Sequence, residues 1–266
     1  MVGSDGTCEN CIADREQNCL SGGTFTYNSP DLTSGGHTFG RYSDEIVVKE
    51  HFVIRIPPGA DLAATAPLLC AGITTFSPMQ HWNLAAGQRV GVTGLGGLEH
   101  MAVKLSVARN AEVVRFTTSP GKLNDAKRPG AREAVLWTDT EGMNRHAAAL
   151  DILISAVPDT YPMQPFMDAR KLDGTMINVG ALKKLDGLNG MALAFGRKSL
   201  AGSVIGGIAE TQQVIDYCAA RNIKADIELI RPDQINQASD RVKNKDVRYR
   251  LAIDLASVKS TARSKT

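Results

Sequence analysis

One stretch constrains the fold more than any other: GQRVGVTGLGGLEHMAVKLSVA, residues 87–108. A short apolar run, 89–93, has the length and β-branched content of a strand. A helix-forming run, 98–110, follows it. Only the glycine-rich turn of Gly94, Gly96 and Gly97 separates the two. Strand, G-x-G-x-x-G and helix is the arrangement that cradles a dinucleotide pyrophosphate. The first glycine permits the tight turn and the second lets backbone approach the phosphates. The third lets helix and strand pack closely, and here that third position is Glu99. Its side chain stands where a hydrogen is expected. Its charge lies near a helix N-terminus that should face an anion. The competing reading is a plain strand-to-helix turn with no ligand.

The texture around this loop supports the first reading. Apolar runs at 89–93, 111–117, 134–137, 151–156 and 175–179 alternate with helical stretches at 98–110, 122–128, 143–149 and 163–171. Near-continuous apolar strands separated by helices predict a parallel sheet covered on both faces. A last run, 200–205, reads as a strand. The expected fold class is therefore α/β, with a doubly wound parallel sheet over 61–207. Ahead of it, 61–82 reads as helix interrupted at Gly72 and Pro78, and 45–48 and 52–56 read as short strands. The tail predicts a helix at 210–221, a strand at 226–229, a helix at 232–242 and a strand at 249–255.

The second apolar strand bears on which nucleotide would bind. A carboxylate about 20 residues past the loop would hold free ribose hydroxyls. Here the strand ends in Thr117-Thr118-Ser119, with Lys122 close behind. Hydroxyls and a cation suit a 2′-phosphate, so NADP(H) is the expected cofactor. An ordinary solvated turn is the alternative, since Ser-Pro-Gly is common turn chemistry. Arg115 falls among apolar neighbours in that strand. Either its face is exposed or it costs stability unless paired.

Composition excludes more than it names. The 266 residues are 43% hydrophobic, with 30 basic and 28 acidic side chains giving a net charge of +2. Such a chain can bury a core without covalent staples. No basic stripe suggests nucleic acid and no apolar run suggests a membrane span. The N-terminus, MVGSDGTCENC, lacks the pattern of a secretory signal. Five cysteines, three within the first 19 residues, do not make a disulfide framework. A reduced, cytoplasmic setting is expected.

Residues 1–40 are polar and glycine-rich, a loop built around something other than a hydrophobic core. Cys8, Cys11 and Cys19 have the spacing of zinc ligands, and Asp5, three residues before Cys8, completes a four-ligand pattern. The alternative is a partial site that holds no metal. Cys70, in PLLCAGITTFSP, reads by itself as a buried core cysteine.

Nine segments in order, among them CENCIADREQNC, PLLCAGITTFSPMQHW, VGVTGLGGLEHMAVKL, FTTSPGK and SLAGSVIGGIAETQQVIDYCAARNI, carry a resemblance along almost the whole chain. The chain resembles the zinc-dependent medium-chain alcohol dehydrogenases. It is most similar to their cinnamyl-alcohol-dehydrogenase-like branch of NADP(H)-dependent aldehyde reductases. The resemblance implies a Rossmann domain at 61–207, part of a GroES-like β domain with a structural-zinc loop at 1–60, and a tail at 208–266 returning to the catalytic domain. It implies hydride transfer between NADPH and an aldehyde or primary alcohol, with zinc as Lewis acid.

By the same resemblance, Cys8, Cys11 and Cys19 match structural-zinc cysteines, with Asp5 in place of the first. Cys70 matches a catalytic-zinc ligand, and Thr74 a threonine beside the nicotinamide. Gly94, Gly96 and Gly97 match the pyrophosphate loop, and Thr117, Ser119 and Lys122 the 2′-phosphate group. Ser203, Ile205 and Gly206 match the strand end by the nicotinamide, and Arg250 an arginine reaching the phosphates. The family's remaining catalytic-zinc ligands and proton-relay hydroxyl have no counterpart here, and Arg41 replaces a glycine of the family pattern. The expectation is an N-terminally truncated member with impaired activity. Alternatives are a non-catalytic nucleotide-binding remnant, or a homodimer joined through the edge strand at 200–205.

Overall fold

A computed structural model describes residues 1–31, 35–40, 42–43, 45–94, 96–123, 128–181, 184–244 and 246–257. The chain divides into two compact units. One is Thr74–Val204; the other joins Met1–Ile73 with Ile205–Thr266.

In the discontinuous unit, residues 1–24 form a loop closed at its base by an antiparallel bridge between Gly3 and Thr24. It holds one short helix, α1 (Glu9–Ile12). Strands β1 (Tyr27–Pro30) and β2 (His37–Phe39) pair antiparallel. The strands expected at 45–48 and 52–56 do not form. Among the described residues there, a 3₁₀ turn, Glu50–Phe52, buries Phe52 instead. β-branched content alone does not make a strand without a partner edge.

The expected helix at 61–82 is broken, but not at Gly72 or Pro78. Helix α2 (Leu62–Thr65) is capped by the Asp61 carboxylate, which accepts from the Ala64 N–H at 3.1 Å. A 3₁₀ turn, Ala66–Leu69, follows, and the break falls at Cys70. Helix α3 (Ala71–His81) then runs through Pro78. Proline lacks the N–H that would bond the carbonyl four residues back, so Thr74 is without that donor. The bent pair Leu62–Leu69 and Ala71–His81, 52° apart, has the length and composition of a broken membrane span, but Ala71, Ile73, Phe76 and Met79 are buried as core. No single described helix is long and apolar enough to cross a membrane.

The Thr74–Val204 unit is built on β3 (Arg89–Thr93), β4 (Glu112–Thr117), β5 (Glu133–Leu136), β6 (Leu150–Ser155), β7 (Arg170–Asn178) and β8 (Ser199–Gly202). All pair parallel, in the order β5-β4-β3-β6-β7-β8. This is the doubly wound Rossmann order, reversing between β3 and β6. The middle strands are buried along nearly their whole length, as a sheet covered on both faces requires. Helix α4 (Gly97–Ala108) makes the first crossover. Strand β7 starts earlier than expected, at Arg170, because the preceding helix is only Gln164–Asp168. Strand β8 ends at Gly202, short of the expected 205.

The tail forms the helix Ile208–Ala220, then β9 (Ile227–Ile230), the helix Ile235–Lys243 and β10 (Arg250–Ile253). β9 and β10 pair parallel, with Arg250 opposite Ile227. Two parallel strands need a crossover of this length between them.

Candidate nucleotide loop and metal cluster

The loop expected from the sequence forms where β3 meets α4. Gly94 donates its N–H to the Phe116 carbonyl at 2.8 Å, tying the end of β3 to the end of β4. Its φ of +109° lies where only glycine is unstrained. Gly96 is the extended N-cap of α4, and Gly97 is the first helical residue.

Glu99 turns back into this loop. Its Oε2 accepts from the Gly96 N–H at 2.9 Å, and the residue is only 7% exposed. A methyl group on Gly96 would lie 2.9 Å from Oε2, and one on Gly94 would overlap Oε1. The carboxylate therefore lies against the bare faces of both glycines. Underneath, Arg115 is completely buried, and its Nη2 donates to the Gly94 carbonyl at 3.2 Å. The exposed-face reading of Arg115 is thus excluded: it is a buried, paired arginine that holds the glycine loop. Mid-strand position hinted at a burial cost but could not indicate a facing carbonyl.

Past β4, Thr117 is buried, and its hydroxyl accepts from the Ser119 N–H at 3.2 Å. Ser119 is half-buried and Thr118 exposed. Lys122 ends the 3₁₀ turn Pro120–Lys122. Its side chain lies outside the described residues, as does Arg41. Thr74 is buried in α3. Ser203 donates its N–H to the Asn178 carbonyl at 3.0 Å, just past β8. Ile205 has a φ of +37°, costly for a β-branched side chain. Gly206 packs against Ile73, which a Cβ would approach to 2.6 Å. Arg250 opens β10, with its Nε buried and without a hydrogen-bond partner among the described residues.

Asp5, Cys8, Cys11 and Cys19 come together, with one donor atom from each lying within 4.8 Å of the others. One Asp5 oxygen accepts from the N–H groups of Thr7 at 2.8 Å and Cys8 at 2.9 Å. The Ser21 side chain, then these amides, hold the Asp5 carboxyl well below the usual carboxylate range. The Leu20 N–H points at Cys8 Sγ from 3.4 Å and, with further bonds from Cys11, lowers that thiol's pKa. Burial pushes the Cys11 thiol up to about 11. Three thiols and a carboxylate at this separation fit a tetrahedral zinc ion.

Cys70 is different. It is exposed at the break between Leu69 and α3, so the core-cysteine reading fails. It belongs to no described cluster of three or more metal-ligating side chains. A catalytic zinc does not fit the described residues.

One polar site had no sequence signal. Glu16 is 1% exposed. Its Oε1 meets His51 Nε2 at 2.6 Å, and its Oε2 accepts from the Ile208 N–H at 3.1 Å. The carboxylate thus caps the helix Ile208–Ala220 from a distant segment. A lone glutamate in a polar loop does not announce a partner 192 residues away.

A family model described as zinc-binding dehydrogenase matches residues 97–220. The aldehyde reductase YahK of Escherichia coli is 46% identical over 259 residues, covering 96% of this chain and 73% of that protein. The NADP-dependent alcohol dehydrogenase C 1 of Mycolicibacterium smegmatis is 43% identical over 261 residues, covering 98% and 74%. The structure of a cinnamyl alcohol dehydrogenase from Sorghum bicolor matches with a TM-score of 0.92 at 38% identity, covering 96% and 73%.

Proposed function

Because the chain belongs to the zinc-binding dehydrogenase family, we propose that its chemistry is the NADP(H)-linked interconversion of an aldehyde and a primary alcohol. The observation that carries this reading is the glycine loop between β3 and α4, at the point where the strand order reverses. Dinucleotides bind at that crevice in open parallel sheets. The backbone amides at Gly96 and Gly97 would face the pyrophosphate. Ser119 would face the 2′-phosphate, with Thr117 shaping the turn below it, and by the family resemblance Lys122 belongs to the same proposed group. Thr74, Ser203, Ile205 and Arg250 belong to the same proposed cofactor set. The division at 1–60, 61–207 and 208–266 belongs to it too. A reducing, cytoplasmic setting suits the five free thiols.

The two implied groups fare differently. Asp5, Cys8, Cys11 and Cys19 would hold a structural zinc, which would cross-link the loop of residues 1–24. As folded, the glycine loop holds the Glu99 carboxylate where a pyrophosphate would lie, so a bound dinucleotide would have to displace it. Cys70 alone does not hold a second zinc. We therefore propose that turnover by these 266 residues is impaired. Metal analysis together with an NADPH-dependent aldehyde-reduction assay tests this. We expect at most one zinc per chain and no reduction. Two zincs with measurable turnover would overturn the impairment.

A second reading is favoured by one feature. Among the described residues β8 is the edge of the six-stranded sheet, with one side of its backbone not paired to a further strand. A homodimer through β8 would keep an interaction role without catalysis. Sizing chromatography decides it, since a monomer across the accessible concentration range removes this reading.

A further inference from the structure

We infer that the Glu99 carboxylate is a built-in competitor for the dinucleotide pyrophosphate, so that this chain keeps a preformed nucleotide loop in a self-liganded, closed state. The inference rests on the nucleotide-binding reading above. A glutamate three residues into a helix commonly reaches back to the N-cap amide, and that alone would be routine capping. Two features make it more than a cap. The carboxylate oxygens lie against the Cα faces of Gly94 and Gly96, where no side chain can stand. The bare face of Gly96, the second glycine, is what lets a pyrophosphate approach the backbone. The carboxylate is also nearly out of water, at 7% exposure, and sits at the positive end of a 12-residue helix. It thus takes up the donor and the dipole that an external anion would use.

An entering pyrophosphate must break the bond from the Gly96 N–H to Oε2 and displace a like charge from the same place. The position of Gly94 does not depend on Glu99. Gly94 is fixed from both sides, its N–H on the Phe116 carbonyl and its own carbonyl on the Arg115 guanidinium. Removing the carboxylate therefore leaves Gly94 held by both bonds and frees the Gly96 N–H.

The test is NADPH titration, followed by nucleotide fluorescence, of the full chain and of Glu99→Gly and Glu99→Ala. Zinc content and circular dichroism serve as checks that each folds. Two variants are used because either could be lost to misfolding. Charge-assisted bonds of this kind predict an NADPH affinity about tenfold or more higher in the variants than in the wild type. Hydrogen exchange supplies a second readout. The Gly96 amide should be protected in the wild type without nucleotide, exposed in the variants, and protected again when NADPH is added. Equal NADPH affinity in wild type and variants overturns the inference and leaves the nucleotide-binding reading standing. Folded variants that bind no NADPH at millimolar concentration overturn both.

Discussion

Arg170 shows what a single charged residue does inside an apolar unit. It is completely buried at the start of β7, beside Phe166, Met167 and Ala169 of the main apolar cluster. Its Nε and Nη1 have no hydrogen-bond partner among the described residues, and Nη2 lies on Met167 Sδ. Burial lowers its pKa to about 10, so it still enters the core as a cation at neutral pH. Asp168 and Tyr161 offset part of this burial electrostatically, but a buried charge whose Nε and Nη1 lack hydrogen bonds still costs stability. Replacing Arg170 with leucine should raise unfolding free energy by about 1–4 kcal/mol, read as a higher urea midpoint. A lower midpoint would mean that the guanidinium is matched after all. Asp5 is the other informative substitution. Asp5→Cys would give four thiolates, the softer set that zinc prefers. The variant should retain zinc at chelator concentrations that strip the wild type, which metal analysis after dialysis would show. Both residues were visible in the sequence, but only Asp5 could be interpreted there, because its partners lie within 14 positions. Arg170 needed the true start of β7, which lies five residues before the apolar run that marked it.

Legibility at the scale of elements followed burial. β3 coincides with its expected span, 89–93, because a strand buried on both faces must be a continuous apolar run. The strands expected at 45–48 and 52–56 had no such environment, and Val47 and Val53 are exposed. The glycine loop was legible because its neighbours are local. The Glu16 cap was not, because it joins distant segments. Replacing Glu16 with alanine should destabilise the Ile208–Ala220 helix by about 1–2 kcal/mol, as lost caps do, with hydrogen exchange rising first at Ile208. An unchanged exchange rate there would refute the cap. Glu228 on β9 offers a pH-dependent case. It accepts from the Arg248 N–H at 3.1 Å and pairs with Arg241 at 2.7 Å. The amide first, then the guanidinium, hold its pKa below the ordinary 4.5. Its folded pKa is the lower one, so its contribution is present above pH 4.5 and fades as pH falls through the folded value. Wild type should therefore exceed Glu228→Gln in denaturant midpoint at neutral pH, and the gap should close on acidification. A gap that persists in strong acid would place the stabilisation elsewhere.

For the whole molecule, the division into two units sets what metal removal does. The cluster of Asp5 and three cysteines lies in the unit made of Met1–Ile73 and Ile205–Thr266. Binding energy at a structural zinc is folding energy for the unit that contains it. Chelation should lower the thermal transition of that unit and leave the transition of Thr74–Val204 in place, which calorimetry with and without a chelator would separate. A joint shift of both would show that they unfold as one. The discontinuity also bears on how the chain is made. Thr74–Val204 is a contiguous stretch, and its sheet can close as soon as that stretch leaves the ribosome. The other unit cannot. Glu16 must wait for Ile208, and the backbone of Arg55 must wait for Gln212. The segment that carries Asp5 and the three cysteines is therefore synthesised before Ile208 and secured only after it. During that interval the segment lacks the contact that Glu16 makes with Ile208, and if the proposed zinc binds there, its arrival would be what ties the loop of residues 1–24 before the rest of that unit is complete.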